Sequence, residues 1–365
     1  MQKILFICCS KNISGAEISL MQMLNHLDLT RFLVYVVLPL KSRLSLKVPQ
    51  NVSVIPMPIK KIGYRHILNP IEWFRLLRTS VLIRKEIREK GIGIVYCNTF
   101  TSLPYCITFK IFTSVKIICH CRDYVGGSMI KLLFFTLCDK IICVSKFIQG
   151  NLHLLKSKTT LCYVGIDTTY YQLQNIELIS ENSLFAIANV GQAVEWKQQQ
   201  HFIEIAYRIS KEIKGVHFHL VVYQMSESGE KKIQALNKRI KELKLEDKFT
   251  VYSFQNDIRQ ILSKVDLLIH TAQNEPFGRI VAEALSMQVP VIAADTGGPA
   301  EVIRDNKCGF LIKEMNISQI IKKVNFFIQN PQAKAEFGKY GRETISKEFS
   351  FEGHIKNVEQ ILESV

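Results

Sequence analysis

A segment near the carboxyl end of the chain, residues 266–312, restricts the fold more than any other. Residues 266–270 are a short apolar run, and residues 271–277 form a polar connection to a helical pattern. An apolar strand pattern follows at 290–293 and a glycine pair at 297–298. In an open α/β sheet, such connections lie at the carboxyl ends of strands, where ligands bind. The segment therefore predicts an α/β protein with a ligand site at this connection.

Two carboxylates mark this connection. Glu275 lies in the loop, and Glu283 follows eight residues later, about two helical turns on, so that both can face one crevice. Pro276 suits the first turn of a helix, and Gly278 allows the backbone to approach a ligand closely. Backbone N–H groups at such a helix start attract phosphate. Standing alone, two glutamates at this spacing would more often be solvated charges on a helix surface.

The motif extends well beyond the two glutamates. Glu-Pro-Phe-Gly at 275–278 is followed by Glu-Ala at 283–284, Pro-Val-Ile-Ala at 290–293 and Gly-Gly at 297–298. This combination resembles the donor-site signature of glycosyltransferase family 4 (glycosyl transferases group 1). The resemblance covers nearly the whole chain and is strongest over 184–313. It implies an α/β GT-B fold, in which two Rossmann-like doubly wound domains face a cleft and a C-terminal helix crosses back to the first domain.

The resemblance implies roles for single residues. Glu275 would accept hydrogen bonds from donor-sugar hydroxyls and Glu283 from the ribose hydroxyls. Lys197 would grip the donor diphosphate, and His120 would orient the sugar. The implied catalytic residues are Glu275, His120 and Lys197. The implied donor-binding residues are Gly15, Gln192, Lys197, Glu275, Pro276, Phe277, Gly278, Arg279 and Glu283.

Three of the departures from the family pattern lie at the expected donor site. Ser14 replaces the first glycine of a Gly-Gly-Ala-Glu loop, although a serine there can cap the following helix. Gln192 replaces an arginine that helps to grip the diphosphate, and Gln198 replaces the glycine of a Lys-Gly pair. One cation is therefore lost, which would weaken diphosphate binding or leave Arg279 or Arg122 to compensate.

The length of 365 residues suits two domains. We expect an N-terminal acceptor-side Rossmann-like domain at 1–167 and a polar linker at 168–183. A C-terminal nucleotide-sugar-binding domain is expected at 184–348, and a crossover helix at 349–365. A Rossmann oxidoreductase is disfavoured because no Gly-x-Gly-x-x-Gly fingerprint follows a predicted strand.

The ten cysteines do not indicate a metal site or disulfides. None forms a Cys-x-x-Cys pair, and most lie in apolar runs, as is typical of buried thiols in a reducing compartment. In Cys119-His120-Cys121, neighbouring side chains on a strand would point to opposite faces. No Asp-x-Asp pair is present to hold Mg²⁺ against a diphosphate. We therefore expect no metal and no cofactor, with a nucleotide diphosphate sugar as co-substrate.

The net positive charge is confined to the first half. Residues 1–170 contain 23 Lys and Arg against 8 Asp and Glu, a net charge of +15, whereas the remainder contains 24 of each. This favours an anionic partner such as a membrane surface or a phosphorylated acceptor. Nucleic acid is not expected, because no helix-turn-helix or aromatic platform is recognisable. The residues that would contact a membrane include Lys60, Lys61, Tyr64, Arg65, Trp73, Phe74, Arg75 and Arg78.

An ordinary crossover helix at 70–90 with a solvated basic face is the alternative to membrane contact. No apolar run reaches the roughly 18 residues of a membrane span. We therefore expect a cytoplasmic protein, with peripheral contact on the inner face of the cell membrane.

The resemblance implies a retaining, metal-independent glycosyltransferase. It would move a sugar from a nucleotide diphosphate sugar to a hydroxyl of a glycan or lipid-linked acceptor. The expected setting is synthesis of cell-surface polysaccharide, lipopolysaccharide or glycolipid. A GT-B nucleotide-sugar epimerase stays open as an alternative, as does a basic nucleic-acid-binding Rossmann-like protein.

Overall fold

A computed structural model describes residues 1–11, 14–62, 69–126, 128–173, 184–224, 227–255 and 257–365. The chain divides into two compact units. The first comprises Met1–Val164 together with Glu352–Val365, and the second comprises Gly165–Phe351. Most of the expected linker at 168–183 lies outside the described residues.

The first unit is built on a sheet of seven parallel strands. Their spatial order is β3-β2-β1-β4-β5-β6-β7. The strands are β1 (Gln2–Ile7), β2 (Phe32–Pro39), β3 (Ser53–Met57), β4 (Ile94–Cys97), β5 (Lys116–Cys121), β6 (Lys140–Cys143) and β7 (Thr159–Leu161).

The strands of this sheet are nearly continuous apolar runs because helices cover both faces of a parallel sheet. Ile4 of β1 pairs with Val34 of β2 on one side and with Ile94 of β4 on the other, and all three are buried. The helices are α1 (Gly15–His26), α2 (Pro70–Lys90), α3 (Ile107–Phe112), α4 (Met129–Phe135) and α5 (Lys146–Asn151).

Helix α2 begins and ends where the sequence predicts. The Asn69 side chain accepts a hydrogen bond from the Ile71 N–H, and Pro70 occupies the first turn, where its missing N–H costs nothing. Gly91 ends the helix at φ +63°, a left-handed conformation that favours glycine. The predicted helix at 70–90 is therefore confirmed.

The final helix, α13 (Phe351–Glu363), groups with the first unit almost entirely. The Asp28 N–H donates to Glu359 Oε1 at 2.9 Å, and His354 Nδ1 lies 2.7 Å from the Tyr163 carbonyl oxygen. The helix therefore returns to the domain in which the chain starts, as the resemblance implied.

The second unit contains six parallel strands in the order β10-β9-β8-β11-β12-β13. They are β8 (Phe185–Gln192), β9 (Val216–Tyr223), β10 (Phe249–Tyr252), β11 (Leu267–His270), β12 (Val291–Ala294) and β13 (Gly309–Ile312). The helices are α6 (Gln199–Glu212), α7 (Glu227–Glu242), α8 (Arg259–Leu262), α9 (Arg279–Ser286), α10 (Pro299–Val302), α11 (Ile317–Gln329) and α12 (Pro331–Glu348). The chain runs outward from β8 to β10 and resumes on its other side with β11, so the strand order reverses between β8 and β11.

All ten cysteines are buried, which confirms the burial expected from their apolar surroundings. Within the ranges described, no group of three His, Cys, Asp or Glu side chains is placed to hold a metal ion. No helix of those ranges combines the length and apolar character that crossing a bilayer requires.

Candidate active site

Lys197 and Glu275 lie where the strand order of the second sheet reverses. Lys197 follows the end of β8, and Glu275 follows the end of β11, the strand paired with β8. Ligands of doubly wound sheets bind beyond the carboxyl ends of the strands at this reversal. Although 78 residues separate the two side chains in sequence, Lys197 Nζ lies 2.5 Å from Glu275 Oε2.

The environment of Glu275 keeps its carboxylate ionised. Burial alone would raise its pKa, but the Lys197 charge and the adjacent His270 outweigh burial and hold the pKa at about 2. His270 Nε2 lies 3.3 Å from Glu275 Oε2, and burial lowers the pKa of the imidazole, which favours its neutral form. An ionised carboxylate accepts hydrogen bonds only, which suits recognition of hydroxyl groups.

Several contacts tie the Lys197 loop to the Glu275 loop. The Thr271 hydroxyl donates to the Lys197 carbonyl oxygen at 2.9 Å, and the Gln273 N–H donates to the Trp196 carbonyl oxygen at 3.0 Å. The Lys197 ammonium also lies 4.5 Å from the centre of the Trp196 ring. The separation between ammonium and carboxylate is therefore set by backbone contacts as well as by the ion pair.

The glycine pair at 297–298 packs directly beneath the Glu275 loop. The Gly298 N–H donates to the Glu275 carbonyl oxygen at 2.8 Å. A Cβ atom on Gly297, whose φ is +72°, would lie 2.7 Å from that same oxygen. A Cβ atom on Gly298 would lie 2.3 Å from the Phe277 Cα. The glycines of the sequence motif therefore allow one backbone segment to support another.

Glu283 lies inside helix α9 with two hydrogen-bond donors of its own. Arg279 Nε donates to Glu283 Oε1 at 2.6 Å, and the Tyr171 hydroxyl donates to the same oxygen at 2.9 Å. Glu275 and Glu283 are only 8% and 6% exposed. These burial values exclude the alternative that the two glutamates are solvated helix charges.

Tyr171 is a site residue that sequence reasoning missed. Its carbonyl oxygen accepts hydrogen bonds from the Ser286 hydroxyl and from Arg342 Nη1, each at 2.9 Å. Burial raises the pKa of the Tyr171 phenol, and the nearby Glu283 charge raises it further, so the hydroxyl stays protonated as a donor. Tyr171 belongs to the irregular stretch read as a linker, and no local pattern distinguishes it.

His120 belongs to the first unit, at the end of β5. Its ring is fully buried, and Nδ1 lies 2.6 Å from the Tyr96 hydroxyl and 3.0 Å from Arg122 Nη2. Burial, together with the charges of Arg122 and the neighbouring His354, lowers its pKa and keeps the ring neutral. Because both contacts at Nδ1 are to donors, the ring proton resides on Nε2. The expected role of His120 toward a donor sugar stays a prediction.

Comparison with known proteins agrees with this geometry. Residues 174–344, which include Lys197, Glu275 and Glu283, match the family model described as glycosyl transferases group 1. This match extends over a little under half of the chain.

Two curated relatives are named as transferases. The chain is 29% identical over 168 residues to the poly(ribitol-phosphate) alpha-N-acetylglucosaminyltransferase of Staphylococcus aureus (strain COL), covering 46% of this chain and 33% of that protein. It is 35% identical over 121 residues to the alpha-1,3/1,6-mannosyltransferase of Homo sapiens, covering 32% of this chain and 28% of that protein. The chain thus spans about a third of the length of these relatives. Their names favour neither the epimerase nor the nucleic-acid-binding alternative.

One solved structure resembles the fold of this chain along its whole length. A crystal structure of Anabaena Alr3699/HepE in complex with UDP and glucose covers 100% of both chains, with a TM-score of 0.85 and 21% sequence identity. Together with the two parallel sheets, this likeness establishes the GT-B fold that the sequence motif implied.

The start of helix α9 differs from the expectation. Helix α9 begins at Arg279 after Gly278, whose φ is +85°, so Pro276 lies in the loop and not in the first helical turn. The prediction that Pro276 lies in the first helical turn was wrong, because Gly278 adopts a left-handed conformation and separates the loop from the helix. The Phe277 ring is buried, 5.9 Å from the ring of Phe349, so its expected donor contact would come from its backbone.

Three of the other expected donor-binding residues have local roles. Gly15 is the first residue of α1, and the N–H of the preceding Ser14 donates to Glu17 Oε2 at 3.0 Å, in keeping with the expected serine cap. Gln192 ends β8, and its carbonyl oxygen accepts a hydrogen bond from Gln199 Nε2 at 2.6 Å. Arg279, considered as a replacement for the missing cation, is already balanced by Glu283.

Gln198 occupies a backbone conformation that favours glycine. Its φ is +55°, in the left-handed region, at the position where the family pattern has glycine. A residue with a side chain costs about 1 kcal/mol or more in this region. The departure at Gln198 therefore strains the backbone beside Lys197.

We expect Gly298→Ala to disrupt the Glu275 loop. The added Cβ would also lie 2.6 Å from the Pro276 carbonyl oxygen, so one backbone segment must move. The free energy of unfolding in urea should fall by about 1–3 kcal/mol. The matched control is Gly150→Ala in α5, where a Cβ meets nothing within 4 Å. Equal stability of the two variants would contradict the packing role of Gly298.

We expect Tyr171→Phe to weaken nucleoside diphosphate binding about tenfold, because Glu283 loses one of the donors that orient it. The free energy of unfolding should fall by only about 1 kcal/mol. Calorimetric titration with UDP and with GDP measures the affinity. Tyr170→Phe is the control, since the Tyr170 ring lies against Arg259 at 3.7 Å. Wild-type affinity in Tyr171→Phe would show that Tyr171 only stabilises the fold.

Proposed function

We propose that this protein is a retaining, metal-independent glycosyltransferase. It transfers a sugar from a nucleotide diphosphate sugar to a hydroxyl of a glycan or lipid-linked acceptor. The names of the two relatives support sugar transfer, and the UDP and glucose bound by the Anabaena protein support a nucleotide-linked donor. The proposed setting is the synthesis of cell-surface polysaccharide, lipopolysaccharide or glycolipid.

One observation carries the proposal. An ionised, buried Glu275 lies in contact with Lys197 at the strand reversal of a group 1 domain. The carboxylate would accept hydrogen bonds from sugar hydroxyls, while the ammonium would stabilise charge on the diphosphate. Glu283, oriented by Arg279 and Tyr171, would accept hydrogen bonds from the ribose hydroxyls.

The reaction breaks the bond between the sugar C1 and the β-phosphate oxygen. Negative charge develops on the leaving diphosphate, where Lys197 and the backbone N–H groups before helix α9 would stabilise it. The acceptor oxygen forms the new bond to C1, and its proton passes to the departing phosphate. Attack on the face that the phosphate leaves retains the anomeric configuration.

This mechanism assigns the neutralisation of charge to the protein. A divalent cation commonly supplies this charge in diphosphate chemistry and is usually held by carboxylates. Here Glu275 is engaged by Lys197 and Glu283 by Arg279, so neither carboxylate is presented as a cation ligand. Lys197 is therefore the proposed source of positive charge.

We also propose that the basic residues of the first half bring the protein to an anionic membrane surface. Lys60 and Arg75 contact Glu72 at 2.7 and 3.1 Å, which reduces the charge they present. Trp73 is half-buried, whereas Phe74 is exposed. Two of the residues expected to take part, Tyr64 and Arg65, lie outside the described residues.

We expect Glu275→Gln to reduce turnover at least about 100-fold, because the amide replaces an ionised acceptor with a weaker one and adds a donor. Nucleoside diphosphate affinity should change less than turnover. Glu283→Ala should abolish measurable transfer. A panel of nucleotide-sugar donors assayed for nucleotide release measures the turnover of both variants. Mass spectrometry of the product separates transfer from epimerisation.

A matched control uses a carboxylate distant from the ion pair. Glu242 lies on the surface of α7 and forms an ion pair with Arg239. Glu242→Gln should leave turnover unchanged. Near-wild-type turnover in Glu275→Gln would contradict the assignment of the donor site.

Turnover should survive removal of divalent cations, because Lys197 supplies the charge that a metal would supply. The measurement compares initial rates with and without EDTA, followed by addition of Mg²⁺ or Mn²⁺. If chelation abolished turnover and Mg²⁺ or Mn²⁺ restored it, the metal-independent mechanism would be wrong, while sugar transfer itself would stand.

A further inference from the structure

Helix α2 carries an apolar surface that faces away from its own domain. Ile71 and Phe74 are 62% and 69% exposed, and Leu77 and Val81 are also exposed. The buried face of the same helix comprises Leu76, Thr79, Ser80, Ile83 and Ile87. A helix that meets only water on its outer side would carry polar residues there. The apolar outer residues of α2 therefore need an explanation beyond the packing of the domain.

The exposed residues form one row along the helix. At 100° per residue, Ile71, Phe74, Arg78, Val81 and Lys85 fall within a sector of about 80°. Apolar and basic side chains thus share the outward face. We call this row the outer face of α2. Such a mixture suits the boundary between acyl chains and headgroups, where long basic side chains extend to the polar side.

The apolar surface continues onto α3. Ile111 and Phe112 at the end of that helix are exposed. The Arg84 guanidinium lies 5.1 Å from the centre of the Phe112 ring, which joins the surfaces of the two helices. Contiguous exposed apolar surface of this kind marks an interaction site more often than chance.

The charges around the outer face are predominantly positive. Helix α2 contains six Lys and Arg and three Glu. Each of the three glutamates is paired, Glu72 with Lys60 and Arg75, Glu86 with Lys90, and Glu89 with Lys85. Arg78 forms no ion pair with the described residues. The outer face therefore presents net positive charge to its partner.

We infer that the outer face of α2 inserts shallowly into an anionic lipid bilayer. Phe74 and Val81 would enter the boundary between headgroups and acyl chains, while Arg78 and Lys85 would contact lipid phosphates. A second copy of this chain is a poorer occupant, because two identical positive faces repel each other. The inference goes beyond charge attraction, since it assigns binding to named apolar side chains, and it does not depend on sugar transfer.

The experiment is co-sedimentation of the full chain with vesicles containing phosphatidylglycerol, and with vesicles of phosphatidylcholine alone. Wild type should bind the anionic vesicles, less strongly at about 500 mM salt than at about 50 mM. Phe74→Ser combined with Val81→Ser removes the apolar contacts without changing charge. This double variant should bind at least about tenfold more weakly. Arg78→Gln combined with Lys85→Gln should weaken binding and reduce its salt dependence.

Leu46→Ser is the matched control. Leu46 is 89% exposed, in the short helix at 43–47 that connects β2 to β3. The chain crosses the sheet in one direction from β2 to β3 and in the opposite direction from β3 to β4, the connection that contains α2. Because such crossovers are right-handed, the two connections lie on opposite faces of the sheet. Leu46→Ser should bind the vesicles as wild type does. Urea unfolding verifies that every variant is as stable as wild type.

Three outcomes would overturn the inference. The first is wild-type binding of Phe74→Ser with Val81→Ser to anionic vesicles. The second is failure of the wild type to bind them. The third is dimerisation of the wild type that the same double variant abolishes, which would assign the outer face to a second copy. Each outcome leaves nucleotide binding by the second unit untouched and therefore does not bear on the proposed transferase activity.

Discussion

The candidate active site depends on one buried ion pair, between Lys197 and Glu275. Burying a lone carboxylate is costly, and its pKa would rise. The ammonium and the adjacent His270 reverse that tendency, so the carboxylate stays ionised inside the protein. Removing one partner of such a pair leaves an uncompensated charge, which is far more damaging than loss of a surface pair. The backbone contacts around the two loops therefore serve to keep both groups in place.

Glu283 obtains its orientation from a different part of the chain. Arg279 lies one turn earlier on the same helix, whereas Tyr171 comes from the segment that opens the second unit. Arg342 of α12 holds that segment through the carbonyl oxygens of Thr168 and Tyr171. The two glutamates of one short motif are thus held by independent sets of partners. In the proposed function, this separation would allow one carboxylate to recognise the sugar and the other the ribose.

In the inferred membrane contact, helix α2 would serve two purposes with one amphipathic pattern. Its inner side supplies Ile83 and Ile87 to the core of the first unit, so the helix cannot leave the domain without unfolding it. Its outer face would reach the bilayer while the helix stays packed. Such binding would be peripheral and reversible, and the basic residues concentrated in the first half would strengthen it at low salt.

Local patterns determined much of the architecture. Apolar runs predicted the strands, the pattern at 70–90 predicted helix α2, and the motif at 275–298 predicted a ligand site beside both glutamates. These features depend on neighbours within a few residues, which the sequence displays directly. The prediction that Pro276 lies in the first turn of a helix was wrong, because the left-handed backbone at Gly278 is not apparent from residue type alone.

Only the tertiary structure decided which distant groups meet. The pairing of β8 with β11 brings Lys197 to Glu275 across 78 residues. Tyr171 likewise meets Glu283 across 112 residues. Hydrophobic periodicity reports which face of an element is buried, but it carries no record of strand order. The candidate residues were therefore apparent from the sequence, whereas the ion pair between Lys197 and Glu275 followed from the order of the strands.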